Sequence, residues 1–105
     1  MAKDGNAVVT SQRDLPRSHD AEQSVLGSML RDNHVISDVV AEMRTEHLFS
    51  DAHQRIYRAI IKLFDTGRPV DLVTLAEELV LEKSLEEIGG PSYLMEIWER
   101  TPTRS

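Results

Sequence analysis

The chain has 105 residues, a formal net charge of −6 and no cysteine, which suits one small domain and excludes disulfides and thiolate metal sites. Its 40% apolar and 29% charged residues are typical of a globular chain, not a disordered one. The acidic balance disfavours a domain that binds nucleic-acid phosphates by itself. The sequence carries neither the apolar run of a signal peptide near its start nor a stretch long enough to span a bilayer.

The first predicted elements are a leader and a helix. Residues 1–14 are polar and are predicted to be a flexible leader, and Pro16 excludes a helix through its position. Asp20 is the predicted N-cap of the first helix, with Gln23 completing a capping box. Gly27 inside this helix would allow another helix to approach closely. The predicted buried face, with the spacing of one helical side, consists of Val25, Leu26, Met29 and Leu30.

Two further helices are predicted in the middle of the chain. Apolar spacing of i, i+3, i+4 and i+7 predicts a short second helix with Ile36, Val39, Val40 and Met43. Leu48 and Phe49 are the predicted anchors of the connection that follows. Ser50 then caps a third helix that runs to about Asp65. Its apolar stripe is wide, which predicts a central place in the core for Ile56, Tyr57, Ile60, Ile61, Leu63 and Phe64.

The last third of the chain predicts two more helices separated by glycine and proline. Gly67 and Pro69 end the third helix, and Asp71 caps a fourth with Leu72, Leu75, Ala76, Leu79 and Val80 on one side. Gly90 and the proline after it mark a turn and the start of a fifth helix, which carries Tyr93, Leu94, Ile97 and Trp98 and ends at Thr101-Pro102. No segment alternates with period two, so the predicted fold is all-α, a small bundle of about five to six short helices.

Residues that could support catalysis are sparse and poorly grouped. The Gly-x-x-x-x-Gly-Lys-Ser/Thr phosphate loop is absent from the sequence, and the spacing of the four histidines does not match a zinc site. His53 is expected to bond a nearby carbonyl or to cap the loop of Leu48 and Phe49. The paired carboxylates Glu77-Glu78 and Glu86-Glu87 are expected on a solvated face, without a nucleophile beside them. We therefore predict no catalytic, cofactor or metal site in this chain.

Charge and aromatic residues point instead to a partner. Residues 44–68 carry five basic and three acidic groups, a balance of +2, whereas residues 71–99 carry eight acidic groups and one lysine, a balance of −7. This asymmetry either steers partners together or simply solubilises the domain. On the last helix, Tyr93 and Trp98 either close the core or form an interface. We predict a partner surface at Tyr93, Trp98, Glu99 and Arg100.

Several motifs follow one another in a recognisable order. Residues 15–27 read Leu-Pro-Arg-Ser-His-Asp-Ala-Glu-Gln-Ser-Val-Leu-Gly, and Leu48-Phe49 precedes a helix start with His53. Residues 67–75 then read Gly-Arg-Pro-Val-Asp-Leu-Val-Thr-Leu, and residues 85–94 contain Leu-x-x-Ile-Gly-Gly-x-x-Tyr-Leu before a closing Thr-Pro. Together these segments resemble the amino-terminal domain of the bacterial replicative DNA helicases, the DnaB family.

The resemblance divides the chain and also shows departures. It implies a helical N-terminal domain over residues 15–102, with residues 103–105 as the start of a missing helical hairpin or linker. The family more often has Asp-Phe-Phe or Asp-Phe-Tyr where this chain has residues 47–49, and often a proline where Ala52 stands. The positions shared with the family look structural and do not by themselves identify a contact with a partner.

The resemblance implies a non-catalytic role in DNA replication. In such helicases the amino-terminal domains form a collar on a hexameric ring, and the carboxy-terminal domains bind ATP and Mg²⁺ and translocate on DNA. The expected partners are the helicase-interaction domain of primase, other helicase subunits and a helicase loader, with weak or absent DNA contact by this domain. The expected location is the bacterial cytoplasm, at the replication fork.

Two other interpretations remain open from the sequence. In the first, a helix-turn-helix-like domain would read DNA with Arg55, Arg58 and Lys62, which share one side of the third helix. Three cations are few for such a role in an acidic domain. The second is a small helical adaptor unrelated to replication.

Overall fold

The computed structural model describes residues 18–100, and this part of the chain contains α-helices, short 3₁₀ turns and no strand. The helices are α1 (His19–Arg31), α2 (Ile36–Glu42), α3 (Asp51–Asp65), α4 (Leu72–Leu81) and α5 (Gly90–Glu99), with 3₁₀ turns at Asn33–Val35 and Thr45–His47. The all-α prediction is confirmed. Within residues 18–100, no helix has the length and apolar content needed to cross a bilayer. The predicted leader and the closing Thr-Pro lie outside the described residues.

The start of α1 differs from its prediction. Ser18 is the N-cap, and its hydroxyl accepts the backbone N–H of Ala21 at 3.1 Å. Asp20 lies in the first turn instead, where its charge still favours the helix N-terminus. Gln23 is fully buried and forms no capping box. Ser18 and Asp20 both satisfy the N-cap preference for a short polar side chain, so residue type alone does not decide which of them caps the helix.

The core surrounds α3, the helix predicted to be central. Ile56, Tyr57 and Ile60 have no exposed surface, and the Tyr57 hydroxyl donates to the carbonyl of Met43 at 2.5 Å. Most of the apolar residues singled out in the sequence are buried with them: Leu26, Met29, Leu30, Leu63, Leu75, Leu79 and Leu94. Val25 is half-buried against this core. Gly27 is buried in α1, which packs along α5.

Two aromatic residues predicted in the core lie at the surface. Phe49 is 98% exposed, because the extended backbone before α3 turns Leu48 inward and places the next side chain on the opposite side. Phe64 is 37% exposed in the last turn of α3, where fewer elements surround a helix than at its middle. The core is therefore almost entirely aliphatic, with Tyr57 as its one fully buried aromatic side chain among the described residues.

The connections around α4 follow their predicted chemistry with two corrections. Asp71 and Thr74 form a capping box, with both hydrogen bonds at 2.9 Å. The cap of α5 is Gly89 at φ 114°, not Gly90, which is the first residue of the helix. A Cβ at Gly89 would lie 2.9 Å from the Cβ of Tyr93. Both the positive φ and the lack of space for a Cβ therefore favour glycine at this position. Glu78, expected on a solvated face, is buried and pairs with Lys62 at 3.1 Å.

The placement of α3 gives a direct stability test. Ile60→Ala removes a fully buried side chain and should lower the free energy of unfolding by about 2–4 kcal/mol. Phe49→Ala removes a larger but exposed side chain and should change it by about 0.5 kcal/mol or less. Urea titrations followed by circular dichroism would measure both values. Equal losses would show that the outward placement of Phe49 is wrong.

Candidate partner-docking surface

A buried carboxylate connects α1 to the start of α3. Glu22 is 1% exposed, and its Oε2 accepts the backbone N–H of Phe49 at 2.5 Å while Oε1 accepts that of Ser50 at 3.4 Å. Oε1 also lies 2.6 Å from Nδ1 of His53. A buried carboxylate is tolerated when several donors satisfy its oxygens. Three donors from one short segment therefore fix α1 against the loop before α3.

The connection continues from His53 to α5. His53 Nε2 lies 2.5 Å from the hydroxyl of Tyr93. Because the Glu22 carboxylate can only accept a hydrogen bond, we assign the proton of the imidazole to Nδ1. Nε2 then accepts a hydrogen bond from the Tyr93 hydroxyl. The Tyr93 oxygen in turn accepts from the amide of Gln23 at 3.0 Å and lies 3.2 Å from Nε2 of His19. One polar network thus joins α1, α3 and α5, and we call these five residues the polar network.

Burial sets the protonation of this network. Desolvation lowers the pKa of His53 below its ordinary 6.5, and the hydrogen bond and charge of Glu22 oppose this only in part. Burial likewise raises the pKa of Tyr93 above its ordinary value. At neutral pH the network therefore holds a neutral imidazole and a neutral phenol beside a carboxylate, which is a hydrogen-bonded arrangement and not a double ion pair.

The chemistry of the polar network is structural. A carboxylate, an imidazole and a hydroxyl in line resemble parts of a catalytic relay, but the imidazole has no exposed surface, and a general base must reach the proton it removes. Among the described residues, no group of three or more histidine, cysteine or acidic side chains could hold a metal ion. The network can therefore position α5 and its side chains but has no evident means of turning over a substrate.

The four residues predicted as a partner surface divide between two sides of α5. Tyr93 and Arg100, seven residues apart, face α1, where Nη2 of Arg100 lies 3.6 Å from Asp20 and the carbonyl of Arg100 accepts from Ser24 at 3.3 Å. The half-buried ring of Trp98 lies beneath the guanidinium of Arg31, 5.1 Å from its centroid. Glu99 is exposed and shares its side of α5 with Met95, four residues earlier. The structure thus brings Tyr93, Trp98 and Arg100 against α1.

Glu22 and His19 were not predicted to have a functional role, and Gln23 was predicted to complete a capping box and not to join a buried polar network. Glu22 precedes Val25, Leu26 and Met29 by three, four and seven residues, so it falls on the predicted buried face of α1. A charged residue at such a position signals a buried partner, and this signal was present in the sequence. His53 was singled out, but its partners are a carboxylate and a phenol instead of the expected carbonyl.

The basic residues of α3 are occupied within the domain. Arg55 donates to Asp51 at 2.8 Å and to Ser84 at 2.9 Å. Lys62 lies 3.1 Å from Glu78 and 3.8 Å from Glu82, and Arg58 donates to Gln54 at 3.4 Å. These contacts join α3 to α4 and to the turn after it. They reduce the positive charge that a DNA-reading helix would need.

Comparison with known proteins identifies the family. The family model described as the DnaB-like helicase N terminal domain matches residues 14–105. The chain belongs to the DnaB-like helicase N-terminal domain family. It is 42% identical over 93 residues to the replicative DNA helicase DnaB of Geobacillus stearothermophilus and 42% identical over 91 residues to that of Mycobacterium leprae. These alignments cover 89% and 87% of this chain.

A solved structure supports the same assignment. The crystal structure of the N-terminal domain of DnaB helicase from Mycobacterium tuberculosis superposes with a TM-score of 0.81 at 42% identity, covering 84% of this chain and 64% of that one. The homologues are replicative DNA helicases. This chain spans 20% of the length of the Geobacillus relative and 15% of the Mycobacterium leprae relative, so it corresponds to the amino-terminal portion of such proteins.

Replacing the buried carboxylate tests the polar network. Glu22→Gln replaces one carboxylate oxygen with an NH₂ group, which cannot accept the N–H groups that now bond that oxygen. The substitution should therefore lower the free energy of unfolding by about 2–3 kcal/mol. Glu46→Gln is the matched control, because Glu46 is exposed and lies 3.6 Å from an equally exposed Arg44; it should cost about 0.5 kcal/mol or less. Chemical denaturation compares them, and a Glu22 variant as stable as the control would contradict the assigned network.

The low pKa of His53 predicts an acid-sensitive fold. Below about pH 6.5 the unfolded chain binds a proton at His53 that the folded chain does not, so the free energy of unfolding should fall as the pH drops from 7.5 to 5.5. Denaturation at several pH values should show that the free energy of unfolding of His53→Gln depends less steeply on pH than that of the parent. An unchanged slope in His53→Gln would refute the assignment.

Proposed function

We propose that this domain is the collar and primase-docking domain of a hexameric replicative DNA helicase. It would assemble with other helicase subunits and recruit the helicase-interaction domain of primase to the primosome during DNA replication. The observation that carries the proposal is the family match along residues 14–105. Fold alone does not establish function, but the named relatives at 42% identity are replicative helicases.

The geometry of α5 supports a docking role over a catalytic one. Hydrogen bonds to His53 and Gln23 hold Tyr93 in a fixed position, and the cation–π contact of Arg31 holds Trp98. Rigid aromatic and arginine side chains at a domain edge are the residue types that anchor interfaces. A surface fixed in advance loses little side-chain entropy on binding. We therefore assign the docking surface for primase to the α1–α5 edge, with Tyr93, Trp98 and Arg100.

The chemical step of the helicase would lie elsewhere in the longer protein. ATP and Mg²⁺ are expected in a carboxy-terminal domain, and the residues present here do not fit such a site, because the sequence lacks a phosphate loop. We propose that this portion is not an enzyme and that it works in the bacterial cytoplasm. A helicase loader is a further possible partner. Direct DNA contact would be weak, since Arg55 and Lys62 of α3 are already paired with carboxylates.

Titration with primase tests the proposal. Adding the helicase-interaction domain of the cognate primase to the ¹⁵N-labelled chain at low salt should shift amide signals at α1 and α5. Arg100→Ala should weaken primase binding by about tenfold, because it removes one contact of the interface. Ala41→Ser, at an exposed position of α2, is the control and should bind like the parent. No shifts at low salt would contradict primase docking by this domain.

A further inference from the structure

Helix α4 is apolar on two sides, although only one side faces the core. Leu75 and Leu79 are buried against the other helices, yet Val73 is 66%, Val80 56% and Leu81 75% exposed. A helix that is apolar all round is normally buried all round. Exposed Val73 and Val80 and half-buried Ala76 have the i, i+3, i+7 spacing of a continuous stripe. The outer side of α4 therefore has the character of a contact surface.

The stripe continues into a groove between α4 and α5. Leu72, Val73 and Ala76 form one wall, Pro91 and Met95 the other, and the volume is about 360 Å³. Met95 is 45% exposed, and its flexible thioether can adapt to different side chains. A groove lined by the faces of two helices can accept the apolar side of a third helix. This groove lies on the side of α5 away from Tyr93 and Arg100, and Trp98, three residues after Met95 and seven after Pro91, falls on the same side of α5 as the groove.

The rim of the groove is acidic. Glu77 lines it directly, and Glu99 lies one turn beyond Met95 on the same side of α5. The basic residues Arg55 and Lys62 of α3 pair with groups on the other side of α4 and in the turn after it. Arg68 approaches the rim, 3.7 Å from Glu77, with both side chains largely exposed. Lys83 is the single basic residue between positions 71 and 99.

We infer that the α4–α5 groove binds a basic amphipathic helix of a partner protein. Apolar side chains of that helix at i, i+3 or i+4 and i+7 would cover Val73, Ala76 and Met95. Its flanking lysine or arginine residues would meet Glu77 and Glu99. A second copy of the chain is disfavoured as the occupant, because a two-fold contact through α4 would place Glu77 of one copy near Glu77 of the other, and like charges repel.

A designed peptide serves as the probe. An 18-residue helix with leucine at i, i+3, i+4 and i+7 and lysine at the remaining positions should bind the chain, with ¹H–¹⁵N shifts centred on α4 and α5 and an affinity that falls as salt rises. Two controls separate the contributions. A peptide with glutamate in place of lysine keeps the apolar face but reverses the charge, and a peptide with scrambled leucine positions keeps the charge but loses the face. Both should bind at least about tenfold more weakly.

Variants of the chain locate the site. Val73→Ser and Met95→Ser should each lower the affinity for the lysine peptide by about tenfold. The double variant Glu77→Gln with Glu99→Gln should make this affinity less sensitive to salt. Val40→Ser on α2, a similarly exposed apolar position, should bind as the parent does, and thermal melts should show that all variants remain folded. Equal binding of the scrambled peptide, or shifts outside α4 and α5, would overturn the proposal. So would concentration-dependent dimers in light scattering that Val73→Ser abolishes, because a second copy would then occupy the groove.

Discussion

The carboxylate of Glu22 is the constraint on which the arrangement of α1, α3 and α5 depends. Its oxygens accept two backbone N–H groups and one imidazole N–H, and a buried carboxylate without such donors would be strongly destabilising. The loop before α3 therefore cannot move from α1 without leaving the charge unpaired. Through His53 the same constraint reaches Tyr93, so the position of α5 depends on a residue of α1, at the opposite end of the described part of the chain.

Apolar periodicity was sufficient to predict the helices but not their polar contacts. The spacing of Leu26, Met29 and Leu30 on α1, and of Ile56 and Ile60 on α3, predicted buried faces because burial dominates folding. The prediction was wrong for Phe49, since the direction of a side chain in a loop depends on backbone angles that apolar content does not encode. The cap at Ser18 is a local hydrogen bond, but Ser18 and Asp20 both suit an N-cap, so composition could not decide between them. The hydrogen bonds of Glu22 join distant parts of the chain, so the sequence could indicate them only as a charged residue on an apolar face.

The two sides of α5 differ in physical character. The side that faces α1 is held by hydrogen bonds and a cation–π contact, and it presents fixed polar and aromatic groups. The side that faces α4 is an open apolar groove with an acidic rim. Because the basic residues of α3 neutralise the inner side of α4, the negative charge of residues 71–99 is concentrated on the outside. The two proposed docking surfaces therefore differ in their chemistry.

Long-range ¹H–¹⁵N spectra of the histidine rings test the polar network most directly. The network requires a neutral His53 imidazole with its proton on Nδ1 at pH 7, and a protonation midpoint below the ordinary histidine value of 6.5. Observing both results would establish that Glu22 and Tyr93 hold the ring from opposite sides. A proton on Nε2, or a midpoint at or above about 6.5, would contradict the account.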